Sequence, residues 1–212
     1  MALSRGKNIQ LFKNPIMDWM SHVHPITPVL FWLPVVGFLY YRSIFVTEIP
    51  LFQIFAISLF GLFIWTFMEY VLHRFVFHLK PIGPISERLV YLFHGIHHDD
   101  PADETRLVMP PIGAIILASI LYPLFWLILG SYWVEPFFAS FLIGYLTYDM
   151  IHFSVHHFKF KTSFMSSLVY NHMTHHYKAP HSRWGVTSPL WDYVFGTLTE
   201  KSQDSSTEDQ TA

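Results

Sequence analysis

The stretch IPLFQIFAISLFGLFIWTFMEYVL, residues 49–72, is followed directly by HRFVFH, residues 73–78. The first part is almost wholly apolar and is long enough for a helix that crosses the roughly 30 Å hydrocarbon core of a bilayer. The second part begins and ends with histidine. A membrane-length helix that ends on histidines predicts a polar site at one surface of a membrane protein.

Three further apolar runs have a similar length, and they are residues 28–45, 110–129 and 134–151. Short connectors join the runs in pairs, which predicts two helical hairpins. Only 13% of the residues are charged, whereas soluble domains carry about 25%. The expected fold is therefore all-α: a multi-pass integral membrane protein with four transmembrane helices and a cytosolic helical cap. A very apolar soluble helical bundle is the alternative.

The loop charges predict the orientation of these helices. Of the 13 lysines and arginines, only Arg42 lies on the side of the two short connectors. Positive charge accumulates on the cytoplasmic side of membrane proteins, so both termini are expected in the cytoplasm. Residues 1–27 would form a cytosolic or interfacial segment, 28–200 the functional domain and 201–212 a disordered polar tail. Segments 9–20 and 85–93 are candidates for helices that lie along the membrane surface.

Composition excludes several kinds of site. The net charge of −2 provides no basic surface for nucleic acid. The chain has no cysteine, which excludes disulfides, thiolate metal sites and cysteine nucleophiles. Histidine, by contrast, occurs 14 times. Ten of these histidines form four groups: His73 and His78; His94, His97 and His98; His152 and His156; and His172, His175 and His176.

All four groups are expected on the cytoplasmic face, because two of them end transmembrane runs and two lie in cytoplasmic loops. Residues three or four positions apart share a helical face, and most of the ten histidines have this spacing. His73 and His78 do not, so either the helix is distorted near Phe77 or His78 reaches the site from beyond its end. Ten imidazoles suit two metal ions, and imidazole binds iron, copper, nickel and zinc. His157 and the scattered His22, His24 and His181 are left out of the ligand set.

Two carboxylates lie near the membrane ends of the predicted helices, one turn before a histidine. Glu69 precedes His73, and Asp149 precedes His152. A carboxylate that accepts a hydrogen bond from a ligand imidazole fixes its orientation, so both residues are candidates for this role. They are equally candidates for hydrogen bonds between helices, and Tyr145, on the Asp149 face, for either substrate contact or simple packing.

The histidine pattern resembles that of the membrane fatty-acid hydroxylase superfamily, which also contains sterol desaturases and carotenoid hydroxylases. The similarity is greatest to the fatty acid 2-hydroxylase branch. It rests on FMEYVLHRFVFH (67–78), FHGIHHDDP (93–101), RLVMPP (106–111), GYLTYDMIHFSVHH (144–157) and GVTSPLWDYVFGT (185–197). The histidine spacing is specific to the superfamily, and the flanking words favour the branch.

This resemblance implies a di-metal centre, functionally di-iron, that uses O2 to hydroxylate C2 of a fatty acyl chain, free or in a sphingolipid. Zinc can replace iron in purified protein. The ten histidines carry over as ligands, and Tyr145, Tyr148 and Asp149 match a stretch near the metals and the substrate entry. Many members carry a cytochrome b5 domain with a His-Pro-Gly-Gly motif, but here His24 and Pro25 are followed by Ile26 and Thr27. We therefore expect a separate electron donor, cytochrome b5 or a ferredoxin-like protein.

Two other functions stay open at this point. A sterol or sphingoid-base hydroxylase or desaturase would use the same metals, and only the flanking words speak against it. A metal transporter or chaperone would need polar residues across the bilayer, and runs 28–45 and 110–129 contain no Asp, Glu, Lys or His. The enzyme would lie in the endoplasmic reticulum of a eukaryote or the inner membrane of a bacterium.

Overall fold

A computed structural model describes residues 6–7 and 9–199 of the chain, and every regular element within them is helical. The predicted tail, 201–212, lies outside the described residues. The α-helices are α1 (Pro15–Met20), α2 (Thr27–Phe45), α3 (Leu51–Val71), α4 (Pro84–Val90), α5 (Ile96–Asp99), α6 (Pro111–His157), α7 (Ser163–Tyr177) and α8 (Leu190–Phe195). Two π-helical segments continue α3 and α4: Leu72–Phe77 and Tyr91–Gly95.

Three helices are long and apolar enough to cross a membrane: α2, Leu51–Phe77 and α6. Their outer faces carry large exposed side chains such as Leu30, Phe52 and Leu127, each about 70% exposed. Water is a poor solvent for such surfaces, whereas lipid covers them without cost. The prediction of an all-helical membrane protein is confirmed at this level.

Helix α6 folds back on itself at Gly130. The backbone of Gly130 has φ 74° and ψ 172°, a conformation that glycine adopts without strain. The rings of Tyr122 and Phe138 lie 5.1 Å apart, although 16 residues along a straight helix would separate them by about 24 Å. The sequence predicted a connector over 130–133, but the reversal needs only Gly130, and residues 131–133 are already helical.

The second half of α6 packs closely against α3. A Cβ atom on Gly144 would lie 2.4 Å from Cγ of Trp65, and one on Gly61 would lie 2.5 Å from the backbone oxygen of Phe137. Glycine therefore lets the two helix backbones approach, as small residues do in membrane helix pairs. This contact brings the histidine ends of α3 and α6 to the same end of the molecule.

The N-terminal segment is tied to the loop before α6 by Arg106. The guanidinium of Arg106 donates to Ser21 Oγ at 3.1 Å and contacts His22 Nε2 at 2.8 Å and Asp18 Oδ1 at 3.4 Å. Helices α1 and α4 lie within the two segments predicted to form surface helices. Ile16 and Ile85 on these helices are 67% and 79% exposed, as a membrane-surface position requires.

Candidate metal centre

The ten predicted ligands converge into two clusters of five at one end of the long helices. Within each cluster, one nitrogen of every ring lies within 4.8 Å of one nitrogen of every other. From here the word group refers to these two clusters. The first group contains His73, His78, His94, His98 and His175. The second group contains His97, His152, His156, His172 and His176.

Each His-x2-His-His motif is divided between the two groups. His94 and His98 belong to the first group, but His97 between them belongs to the second. The motif of α7 is divided the opposite way. Residues four apart differ by about 40° around a helix, whereas the adjacent pair differs by about 100°. The spacing therefore keeps the first and last rings together and turns the middle ring toward the other group.

A wide helical turn aligns His73 with His78. The segment Leu72–Phe77 is π-helical, and the amide of His78 donates to the carbonyl of His73 at 3.2 Å. A π-turn closes after five residues instead of four, so the two rings come within 5.1 Å. The backbone of His78 itself is no longer helical, with φ −105° and ψ 26°. Both alternatives considered for this pair therefore hold: the helix is widened, and His78 lies just beyond its end.

The Nε2 atoms within each group have the spacing of ligands around one ion. They lie 3.1 Å apart in the pairs His73–His94 and His175–His78, and 2.8 Å apart in the pair His172–His156. Two nitrogens bound at 2.1 Å and at right angles would lie about 3.0 Å apart. The donor set and its spacing therefore fit one metal ion per group.

Burial keeps these imidazoles uncharged. The loss of hydration, together with the neighbouring histidines, lowers the pKa of both His78 and His98 to about 3. Burial also lowers the pKa of His175 to about 4. The pKa values of His94, His97 and His172 are held well below their ordinary value by the same cause. The rings are thus neutral at physiological pH, which is the form that binds metal.

Two ligands of the first group are oriented by backbone carbonyls. Nδ1 of His73 donates to the carbonyl of Trp184 at 2.5 Å, and Nδ1 of His175 donates to the carbonyl of Ser182 at 2.7 Å. Each bond fixes the tautomer and leaves the Nε2 lone pair toward the centre of the group. The sequence did not predict these acceptors, because every residue carries a backbone carbonyl and the residue type therefore gives no signal for it.

The remaining histidines lie outside both groups. The ring of His157 packs on Phe153, with 4.6 Å between centroids. His22 contacts Arg106, and Nδ1 of His24 accepts from the amide of Ile26. His181 lies close enough to His78 and His175 to influence both electrostatically, without joining their group.

The two predicted carboxylates contact groups other than the imidazoles. Glu69 accepts from the amides of Val186 and Thr187, in the loop that also supplies the Trp184 carbonyl. The carboxyl of Asp149 faces the hydroxyl of Tyr145 and the amide of Met109. Its Oδ2 atom and the Tyr145 hydroxyl are buried without a hydrogen-bond partner of normal geometry among the described residues.

An apolar cavity opens beside the histidine groups. It has a volume of about 520 Å³, counting its open side, and lies between α2, α3 and both halves of α6. Trp32 and Leu121 line its far part, and Phe77, Tyr145 and Tyr148 line the part near the histidines. The rings of Tyr148 and His152 lie 5.5 Å apart, and Phe77 stacks on His94 at 5.3 Å. The cavity therefore ends where the histidines begin.

Known proteins are similar to this chain in both sequence and fold. A ceramide very long chain fatty acid hydroxylase of Saccharomyces cerevisiae is 44% identical over 177 residues, which cover 81% of this chain and 44% of the yeast protein. A dihydroceramide fatty acyl 2-hydroxylase of Arabidopsis thaliana is 40% identical over 81% of this chain and 71% of its own length. The chain spans about half the length of the Saccharomyces cerevisiae protein and of a ceramide very long chain fatty acid hydroxylase of Schizosaccharomyces pombe that it also matches.

A solved structure gives the same result. Full-length scs7p, of which only the hydroxylase domain is visible, matches with a TM-score of 0.82 and 38% identity, covering 88% of this chain and 70% of that one. The profile of the fatty acid hydroxylase family matches residues 58–197, the segment that holds both histidine groups. On this match and these identities, the chain belongs to the fatty acid hydroxylase family.

Proposed function

We propose that this protein is a membrane di-iron monooxygenase that hydroxylates C2 of a fatty acyl chain, either free or bound in a sphingolipid. The observation that carries this proposal is the junction of two five-histidine groups with an apolar cavity. The names of the relatives, which include ceramide and dihydroceramide fatty acyl hydroxylases, support the same substrate class.

The first group would hold one ion and the second group the other. Iron, when bound there, would supply the activation of O2 that cleavage of an unactivated C–H bond requires. Zinc would compete for the same nitrogens, because imidazole binds both metals and selection depends on supply. The protein's contribution is to keep ten neutral rings in a fixed arrangement, which their burial supports.

The cavity would hold the acyl chain, with its carboxyl or amide end toward the histidines. Trp32, Leu121 and Phe138 give that space apolar walls, which favour a hydrocarbon chain over water. Tyr145 and Tyr148 lie where the head end of the chain would enter the metal centre. Carbon 2, the first methylene beyond the head, would then be the nearest C–H group to both ions.

Asp149 would support the centre without binding a metal. Its Oδ2 atom is buried beside the hydroxyl of Tyr145, a residue that lines the cavity, and it has no hydrogen-bond partner of normal geometry among the described residues. A carboxylate at this position would offset part of the positive charge of two ions bound by neutral ligands and would orient the substrate head through Tyr145.

The two halves of α6 would each cross the membrane, giving four crossings with α2 and α3. Both termini and the histidine groups would face the cytoplasm, as the distribution of Lys and Arg favours. This orientation would correspond to the endoplasmic reticulum in a eukaryote or the inner membrane in a bacterium. Residues 28–200 would form the complete hydroxylase domain.

The reaction consumes one O2, two electrons and two protons, and it yields one hydroxyl group and one water. We expect the two electrons to come from a separate protein, cytochrome b5 or a ferredoxin-like donor. The cytoplasmic placement of the histidine groups would give such a donor direct access to the metal centre.

Lipid analysis tests the proposal. The chain is expressed in cells without their own 2-hydroxylase, and the acyl chains are released and measured by mass spectrometry. We expect 2-hydroxy acids from the wild type and none from the double variant His97→Ala/His175→Ala. The His24→Ala variant is the control and should keep wild-type product. Hydroxylated sterols or sphingoid bases without 2-hydroxy acids would contradict the proposed substrate class.

A further inference from the structure

Two buried carboxylates hold the loop of residues 182–187 through hydrogen bonds to its backbone amides. Glu69, at the end of α3, is 3% exposed. Its Oε1 atom accepts from the amides of Val186 and Thr187 at 2.7 and 2.8 Å, and its Oε2 atom accepts from the Thr187 hydroxyl. All the hydrogen bonds of this carboxylate therefore serve to hold the second half of the loop.

Asp192, at the start of α8, holds the first half of the same loop. It is 1% exposed. Its Oδ1 atom accepts from the amide of Trp184 at 2.9 Å, and its Oδ2 atom accepts from the amide of Gly185 at 2.8 Å. A Cβ atom on Gly185 would lie 2.0 Å from the Ser188 carbonyl, so only glycine fits at this position of the loop.

In the described part of the chain, this loop accepts hydrogen bonds from ligand imidazoles of one histidine group only. Its carbonyls at Ser182 and Trp184 accept from His175 and His73, and both of these rings belong to the first group. Arg183, between the two carbonyls, has a left-handed φ of 58°. In the second group, the Nδ1 atoms of His97 and His172 are buried without a hydrogen-bond partner in the described part of the chain.

We infer that the two metal sites are unequal: Glu69 and Asp192 are positioning residues that stabilise the first site through the loop and leave the second site unaffected. The inference rests on the proposed function, because it assumes one ion in each group. The first site holds its ion more tightly, since two of its ligands are held in the binding tautomer before the ion arrives. The second site therefore loses its ion first.

Asp192→Asn breaks its half of these hydrogen bonds without changing the shape of the side chain, because the amide oxygen still accepts from one N–H group but the new NH2 group faces a second N–H donor. Glu69→Gln would keep the other half, since Oε1 alone accepts from both backbone amides and the new NH2 group would donate to the Thr187 hydroxyl. Glu69→Leu, which removes all three acceptor contacts, breaks that half instead. The loop then loosens, and His73 and His175 lose fixed acceptors. Removal of a hydrogen-bond partner of a metal ligand typically lowers metal affinity by about 10- to 100-fold. We expect about tenfold, because the carboxylates act through the loop.

Zinc affinity measured separately at each site tests the inference. The His156→Ala variant weakens the second site and leaves the first as the tight site, whereas His78→Ala does the reverse. Glu69→Leu and Asp192→Asn are introduced into both backgrounds, and the bound zinc is titrated with a competing chelator. We expect about tenfold weaker zinc binding in the His156→Ala background and no change in the His78→Ala background. Equal losses in both backgrounds, or no loss in either, would overturn the inference.

Glu135→Gln is the matched control. Glu135 is also a buried carboxylate, 8% exposed, but it pairs with Arg42 far along α6 from the histidines. Its replacement should leave the zinc affinity of both sites unchanged. Thr187→Val replaces the variants of Glu69 and Asp192 in this test if those do not fold, because it removes a single hydrogen bond to Glu69. It should weaken the first site alone, by a smaller factor, and an unchanged first site would contradict the inference.

The release of zinc from the wild type separates this inference from the proposed function. Two ions lost at different chelator concentrations agree with both. Two ions lost together contradict the inequality but leave the di-metal centre intact. Fewer than two ions in freshly loaded protein contradict the proposed function itself.

Discussion

His156 and His157 are adjacent in the last turn of α6, yet only His156 belongs to the second group. We predict that His156→Ala lowers the metal content of the purified protein from two ions toward one, because one of five ligands is lost. His157→Ala should keep two ions, since its ring packs on Phe153 instead. Elemental analysis of the two variants, prepared side by side, measures this. Equal metal contents would contradict the division of the two residues.

Asp149 gives a prediction of a different kind. We predict that Asp149→Asn keeps near-full metal content but loses most of its 2-hydroxylation, because the carboxylate is placed to offset metal charge and to orient the substrate head through Tyr145. The amide keeps the shape and one acceptor but removes the charge. Metal analysis and product formation are measured on the same preparation, with His152→Ala as the control that should lower both. Wild-type hydroxylation in Asp149→Asn would make the carboxylate a packing partner only.

The sequence identified which histidines meet but not how they are shared. The ten residues stand out because all lie on one side of the predicted membrane and all but the pair His73 and His78 have helical spacing. His97 and His175 each join the group opposite to that of the other two histidines in their motif. This assignment depends on the relative orientation of α5, α6 and α7, which spacing alone does not determine. Asp192 was missed as well, because an aspartate early in a short helix is ordinarily read as a capping residue.

At the level of helices, the contact between α3 and α6 depends on Gly61. We predict that Gly61→Ala destabilises the protein by about 1–3 kcal/mol, the usual cost of forcing extra atoms into a packed interface. The added Cβ atom would lie 2.5 Å from a backbone oxygen of α6, and a backbone cannot move aside as a side chain can. Thermal unfolding in detergent measures the effect.

Gly37→Ala is the control for this change. Gly37 lies inside α2, and a Cβ atom there meets nothing within 4 Å. The free energy of unfolding should stay constant or rise slightly, because alanine favours helix over glycine. A loss of stability as large as that of Gly61→Ala would show that any added methyl group disturbs these helices, and would contradict the role of close packing.

Apolar composition and length predicted the long helices, although the helices that end at the histidine groups continue to Phe77 and His157, five and six residues beyond the predicted ends. Two local features were beyond that reasoning. A π-turn differs from an α-turn by one backbone hydrogen bond and leaves the residue pattern unchanged, so the widening at Leu72–Phe77 was one of two alternatives. The reversal at Gly130 was placed correctly but predicted too long, because Ser131, Tyr132 and Trp133 carry no signal against a connector.

For the whole molecule, the orientation in the membrane is the prediction to test. The chain has no cysteine, so single cysteines can be introduced at Ser166 in α7 and at Ser131 beside the reversal. Both positions are exposed. In intact bacterial cells that carry the protein in their inner membrane, a membrane-impermeant thiol reagent should label Ser131→Cys and should label Ser166→Cys only after permeabilisation. The reverse pattern would place the histidine groups outside the cytoplasm, and labelling of both positions from outside would contradict four crossings.

The division of the α7 histidines between the two groups also has a consequence for biosynthesis. His175 completes the first group, and His172 and His176 complete the second, and α7 is translated after every membrane-length helix. A nascent chain that ends before Ser163 carries four residues of the first group and three of the second. Neither group is therefore complete until α7 has been translated, after the apolar helices α2, α3 and α6.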